Sequence, residues 1–388
     1  MSRLKHFRPP PLWTLSLILG FGLLLYALTA SSTPAQAAPR YFQEDKTSND
    51  FCLACHQQQG IALALGSESL PVTINPTAFG LSVHAEEDVA CVDCHTNISD
   101  YPHPEVTETS IRIFSLSLAE SCKECHEDQY EATPDSVHTK ELNEGNDKAP
   151  LCVDCHNPHT QGRLIGQESG KLTISARVHI PETCAQCHLE KYDQYKDSVH
   201  GKALTQEGNL DVPTCTECHG VHGGIVDPTT PLFRNTSPLL CANCHDNPKI
   251  MDKYDISTDV LETYVADFHG TSVKLFSEQF PNEVTNKAVC FDCHGVHDIA
   301  KVDDPVKGIA LRQNILEKCQ RCHPDATENF TGAWLGHEYA STTHQPIAYY
   351  VSLFYKIFIP LVIGGMIFFI ITDIYRRAVN RAKGAKRP

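Results

Sequence analysis

Hydrophobic residues are unevenly spread along the chain. Two long apolar runs lie near the ends, Leu12 to Ala30 and Ile347 to Thr372, and nothing comparable occurs between them. The inner stretch carries only brief amphipathic patterns, such as Glu190–Lys196, separated by Pro- or Gly-bearing turns such as Asp227–Pro231. Such patterns predict short helices joined by irregular loops, and no alternating run is long enough to predict a large sheet.

The apolar run from Ile347 is interrupted only by Lys356 and is followed by Arg376, Arg377, Arg381, Lys383, Lys386 and Arg387. A bilayer core takes about 20 apolar residues, so this run predicts a transmembrane helix over 347–372. The basic flank predicts a cytoplasmic tail over 373–388. Lys356 lies near the outer end, where its long stem lets the ammonium reach the headgroups. The first run follows Arg3, Lys5 and Arg8 and precedes Ala35-Gln36-Ala37, a small-x-small cleavage pattern. Segment 1–37 therefore reads as a signal peptide cut after Ala37, with an uncleaved N-terminal anchor as the alternative. Both readings export 38–346.

Cysteine usage decides what the exported part holds. All 18 cysteines fall into nine copies of Cys-x-x-Cys-His, with none left over. The copies are Cys52, Cys55, His56; Cys91, Cys94, His95; Cys122, Cys125, His126; Cys152, Cys155, His156; and Cys184, Cys187, His188. They continue with Cys215, Cys218, His219; Cys241, Cys244, His245; Cys290, Cys293, His294; and Cys319, Cys322, His323. A disulfide framework or a zinc ribbon does not require histidine after every second cysteine. Covalent attachment of c-type haem does: two cysteines on one helical turn form thioethers, and the histidine becomes the proximal iron ligand. Nine haems are expected. With about 34 residues per motif the chain is too sparse for an ordinary core, so the porphyrins are expected to supply much of the apolar interior. The fold class expected is mostly helical and irregular, packed around haem, with little sheet and a C-terminal transmembrane helix.

The motifs form doublets with extra histidines at repeated places. Ser136-Val137-His138 lies inside the second doublet and Asn157-Pro158-His159 closes it. The third has Ser198-Val199-His200 and Gly220-Val221-His222. The first offers His84 and, less regularly, His103, and the fourth offers His269 and His297. These are candidate distal ligands; His337 is preferred for the ninth position, with His179 and His344 as alternatives. Methionine is scarce: Met1, Met251 and Met366 are the whole supply, and only Met251 falls in 38–346. Bis-histidine iron has low potential and no open position, which predicts electron transfer and no catalytic residue. The net charge is −15, and the basic residues concentrate at the ends, so the exported part is more acidic still. That argues against nucleic acid and favours a basic soluble redox partner.

The recurring Cys-x-x-Cys-His, Ser-Val-His and Cys-x-x-Cys-His-Gly-Val-His elements resemble the doubled-motif multihaem cytochrome c family. Nine motifs followed by Thr342-Thr343-His344, a membrane helix and a basic tail further resemble inner-membrane quinol-oxidising cytochromes of metal-reducing bacteria. In that group a nine-haem periplasmic domain is joined to a b-type membrane domain. The resemblance implies a protein of the bacterial inner membrane, with its haem domain periplasmic and its C-terminus cytoplasmic. It implies electron transfer between a membrane quinol-linked partner and a soluble periplasmic cytochrome; a reductase of small nitrogen or sulfur oxyanions is the alternative. One departure is plain: 347–372 contains no histidine and cannot itself hold b-type haem. A separate b-type quinol-oxidising subunit is therefore expected, for which Gly364-Gly365 offers a close-packing face.

Overall fold

The computed structural model describes residues 46–98, 100–224, 227–332, 336–343 and 345–384. The signal-peptide segment 1–37, the alternative ligand His344 and the tail residues 385–388 lie outside the described residues.

The chain is a succession of short helices. Nine of them open on a polar cap: Ser48, Asn75, Ser82, Ser110, Ser136, Thr173, Ser198, Thr230 and Asn247 each accept a backbone N–H of the first turn. Such caps satisfy donors that the helix itself leaves unpaired, which lets helices this short persist. The helix foreseen over 190–196 runs Leu189–Asp197. The turn foreseen at 227–231 is closed by the Asp227 carboxylate, which accepts the Thr229 N–H at 2.8 Å just before helix Pro231–His245 begins. Among the described residues the sheet is one two-stranded antiparallel hairpin, Ala62–Leu65 with Glu68–Pro71, registered Leu65 to Glu68.

Buried apolar side chains are few and mostly small. Leu65, Leu204, Val273 and Val289 are at most 2% exposed, whereas Ala149, Ala176, Ala203 and Ala326 fill much of the remainder. Met251 is buried with them. Repeated corners hold the helices together. Helix Val199–Thr205 follows Leu189–Asp197, and Phe268–Gln279 follows Val260–Ala266. At both corners a glycine meets the preceding helix end. A Cβ on Gly201 would lie 1.9 Å from the Tyr195 carbonyl oxygen, and one on Gly270 would lie 2.0 Å from that of Tyr264.

The last helix differs in kind. Pro346–Gly384 spans 39 residues, with a mean hydropathy of 2.4 in its most apolar window. At 1.5 Å per residue it is about 58 Å long, well beyond the roughly 30 Å hydrocarbon core of a bilayer. Among the described residues it is the one helix long and apolar enough to cross a membrane. It continues past Thr372, where Asp373 pairs with Arg376 at 2.9 Å and Arg377 at 2.6 Å, one turn on.

Candidate functional site

The motifs take two alternating settings. The first motif of a doublet lies within or at the end of a longer helical segment, as Cys52 in Asn49–His56, Cys184 in Ile174–Ala185 and Cys241 in Pro231–His245. Pro181 and Pro238 stand three residues before Cys184 and Cys241. The second motif opens its own one-turn helix. There the acidic residue inside the motif reaches back to the N–H preceding the first cysteine: Asp93 to Ala90 (2.8 Å), Asp154 to Leu151 (2.6 Å), Glu217 to Thr214 (2.7 Å) and Asp292 to Val289 (2.7 Å). This N3-to-N-cap bond fixes the turn that puts both cysteines on one side.

An arginine then ties each second motif to the helix of the first. Arg177 donates to Glu217 at 2.5 Å and to the Val212 carbonyl at 2.7 Å. Arg234 donates to Asp292 at 2.7 Å and to the Lys287 carbonyl at 3.0 Å. Arg112 bonds Asp154 at 2.8 Å and the Ala149 carbonyl. In all three cases the carbonyl lies three residues before the motif. In the first doublet Asn49 substitutes, accepting from the Cys91 N–H at 2.8 Å and donating to the Val89 carbonyl at 3.1 Å. Burial pushes the Glu217 carboxyl up, but hydrogen bonds from Thr214 and the Arg177 charge more than offset this and hold it below its ordinary value. These clamp residues were not foreseen; their signal was the acid present in every second motif.

Neighbouring motifs lie side by side. Within doublets the first cysteines are close to one another: Cys52 to Cys91, Cys122 to Cys152, Cys184 to Cys215, and Cys241 to Cys290. Between doublets Cys94 lies in electrostatic range of Cys125, Cys155 of Cys187, Cys218 of Cys244, and Cys293 of Cys319.

Each motif histidine faces one of the other histidines. The ring-centroid separations are His56–His103 5.9 Å, His95–His159 6.2 Å, His126–His84 6.2 Å, His156–His222 6.2 Å and His188–His138 6.2 Å. The rest are His219–His297 5.9 Å, His245–His200 6.2 Å, His294–His337 6.1 Å and His323–His269 6.3 Å. Two imidazoles clasping a metal from opposite sides, with bonds of about 2 Å, place their centroids roughly 6 Å apart. The donor set therefore fits a haem iron. Burial favours the neutral imidazole that a metal bond needs: it lowers His200 and His294 to about 4 and also lowers His138, His159 and His337. Arg112 Nε and Arg177 Nε are buried donors with no protein acceptor. His179 is not brought to a motif; it is exposed, with Nδ1 on the Ser175 carbonyl at 2.7 Å and Nε2 4.0 Å from Glu182.

The pairing follows a rule the repeats alone did not reveal. A Ser-Val-His histidine faces the first motif of the next doublet, as His138 faces His188 and His200 faces His245. A closing histidine faces the second motif of the preceding doublet, as His222 faces His156 and His297 faces His219. Backbone contacts make the same crossing: Val83 N–H donates to the Gln161 carbonyl, and Val199 N–H to that of Ile299, both at 2.8 Å. Gly220 and Gly295, at φ +78° and +85°, turn the chain out of the motif helix toward His222 and His297. That left-handed backbone suits glycine. His103 has no preceding doublet to reach and faces His56 of its own.

Comparison with known proteins agrees with this architecture. A family model for cytochrome c3 matches residues 83–171, and one for the doubled CXXCH motif matches 207–250. The cytochrome c-type protein NrfB of Escherichia coli O6:H1 is 26% identical over 98 residues, covering 24% of this chain and 50% of the relative. The chain thus spans about half the length of the curated relative it matches. No solved structure matches. The paired motif settings, the helical fold and both family matches together support a doubled-CxxCH multihaem cytochrome c with covalently bound c-type haem.

Proposed function

We propose that all nine motifs carry haem and that the nine histidine pairs are the axial ligands, making the chain a membrane-anchored electron wire. The observation that supports this reading is that the nine facing pairs use every motif histidine once. Haem, when bound, supplies the one-electron chemistry. The chain would hold each porphyrin by two thioethers; the arginine clamps fix three of the second-motif turns, and Arg112 Nε and Arg177 Nε are buried donors that could meet propionate carboxylates. The ring-nitrogen contacts of His56 to the Val72 carbonyl and His84 to the Pro158 carbonyl, both 2.9 Å, leave Nε2 for iron.

Helix Pro346–Gly384 would anchor this domain in the bacterial inner membrane, with the motifs periplasmic and the basic tail cytoplasmic. Electrons would pass between a quinol-oxidising b-type subunit, packed on the helix, and a soluble periplasmic cytochrome. Two ligands per iron leave no position for a small oxyanion, which weighs against the reductase alternative. The fully reduced protein is expected to bind no CO and to give low-spin spectra throughout. A CO-shifted Soret band in the native chain would instead reinstate the reductase. Salt washing should leave the protein on membranes, and release by salt alone would contradict the anchor.

A further inference from the structure

The fourth doublet departs from the others at one position that touches a histidine pair. In the first three doublets a buried serine precedes Val-His, and its hydroxyl caps the helix: Ser82 accepts from Ala85 N–H, Ser136 from His138 N–H and Ser198 from Gly201 N–H. In the fourth the residue is Asp267, the N-cap of helix Phe268–Gln279. Aspartate is among the strongest helix-capping residues, yet its side chain makes no capping bond here. Its Oδ2 lies 3.4 Å from His269 Nδ1, at ion-pair distance. At this nitrogen His56, His84, His156 and His337 meet neutral oxygens: the Val72 and Pro158 carbonyls, the Gln161 amide and the Thr263 hydroxyl.

A carboxylate on the outer N–H of a ligating imidazole makes the inner nitrogen a stronger donor. A stronger donor stabilises ferric over ferrous iron and lowers the potential. We propose that Asp267 is a positioning residue that orients His269 and lowers the potential of the haem on Cys319–His323, the last motif before the membrane helix. This deepens the wire reading and rests on His269 and His323 being that haem's ligands. Electrons run from low to high potential, so a depressed last haem gives the wire a direction: in at the membrane side, out toward the Cys52–His56 end.

The test is spectroelectrochemical titration of the full chain in detergent, comparing the wild type with Asp267→Asn, Asp267→Ser and Asp267→Glu at unchanged haem content. Removing the charge with Asn or Ser is expected to raise one of the nine components by about tenfold in its oxidation equilibrium, equal to 59 mV for one electron. One low-spin EPR signal should move with it, and Glu, which keeps the charge, should retain most of the depression. In a Cys319→Ser/Cys322→Ser background the Asn substitution should shift nothing. Unchanged potentials in both Asn and Ser variants, or an equal shift without the ninth haem, would overturn the inference while leaving the wire intact. CO binding by the wild type would show instead that the ligand reading beneath it had failed.

Discussion

Replacing His337 with alanine tests the crossed pairing at its least obvious point. His337 follows the ninth motif in sequence, yet its ring stands 6.1 Å from His294 of the eighth, with the planes 17° apart. It is held there by the Thr263 hydroxyl, 3.4 Å from Nδ1. His337→Ala removes one axial nitrogen and should leave one iron open on one side. With nine motifs per chain, about one-ninth of the Soret intensity should change on reduction under CO, saturating at one CO per chain. His179→Ala should bind none, because that ring faces Ser175 and Glu182 and no motif histidine. Combining His337→Ala with His297→Ala should give two CO per chain, as His297 belongs to a different pair. The assignment is sharpened by deleting haems. His337→Ala with Cys290→Ser/Cys293→Ser should return to zero CO, whereas with Cys319→Ser/Cys322→Ser it should still bind one. A low-spin, CO-silent His337→Ala protein, or CO binding by His179→Ala, would refute the reasoning.

Two further outcomes concern the scaffold. Arg177→Ala strands Glu217 and the Val212 carbonyl at a partly buried site, which should cost roughly 1–3 kcal/mol; thermal melts followed by Soret circular dichroism would show it, and Arg177→Lys should rescue poorly because an ammonium cannot serve both acceptors as a planar fork does. Asp211, hydrogen-bonded to Lys253 at 2.7 Å and to Tyr254, is held below its ordinary value. Because its folded value is depressed, its stabilising contribution is present above the ordinary carboxylate value and lost as pH falls through the folded one; for so exposed a pair it amounts to at most about 1 kcal/mol. Asp211→Asn should flatten the acid limb of the melting temperature against pH by that small amount, and an unchanged limb would show the pair to be inert.

Much of the molecule was legible before its structure. Motif spacing marked the residues that face one another, since Cys-x-x-Cys-His is a local pattern that needs only one helical turn. Ser-Val-His was equally local: a capping serine and a histidine one step into the helix. What stayed hidden was which histidine serves which motif. His84 and His126, or His159 and His95, are joined across two doublets, and no periodicity within one doublet encodes that crossing. His337 was preferred over His179 without any sign of its partner, as only the three-dimensional path carries it to His294. The arginine clamps escaped because Arg112, Arg177 and Arg234 look like ordinary surface charges until their carboxylate partners are known. The extension of the last helix past the apolar run was hidden too, since hydrophobicity marks only the spanning stretch and the helix runs on through the charged Asp373, Arg376 and Arg377.

The central claim is a porphyrin on every motif, and counting covalent haem tests it most directly. Pyridine haemochrome absorbance of the purified full-length protein, set against protein concentration from amino-acid analysis, is expected to give nine haems per chain, one for each Cys-x-x-Cys-His. A value well below nine, reproduced in protein matured with ample haem supply, would contradict the account.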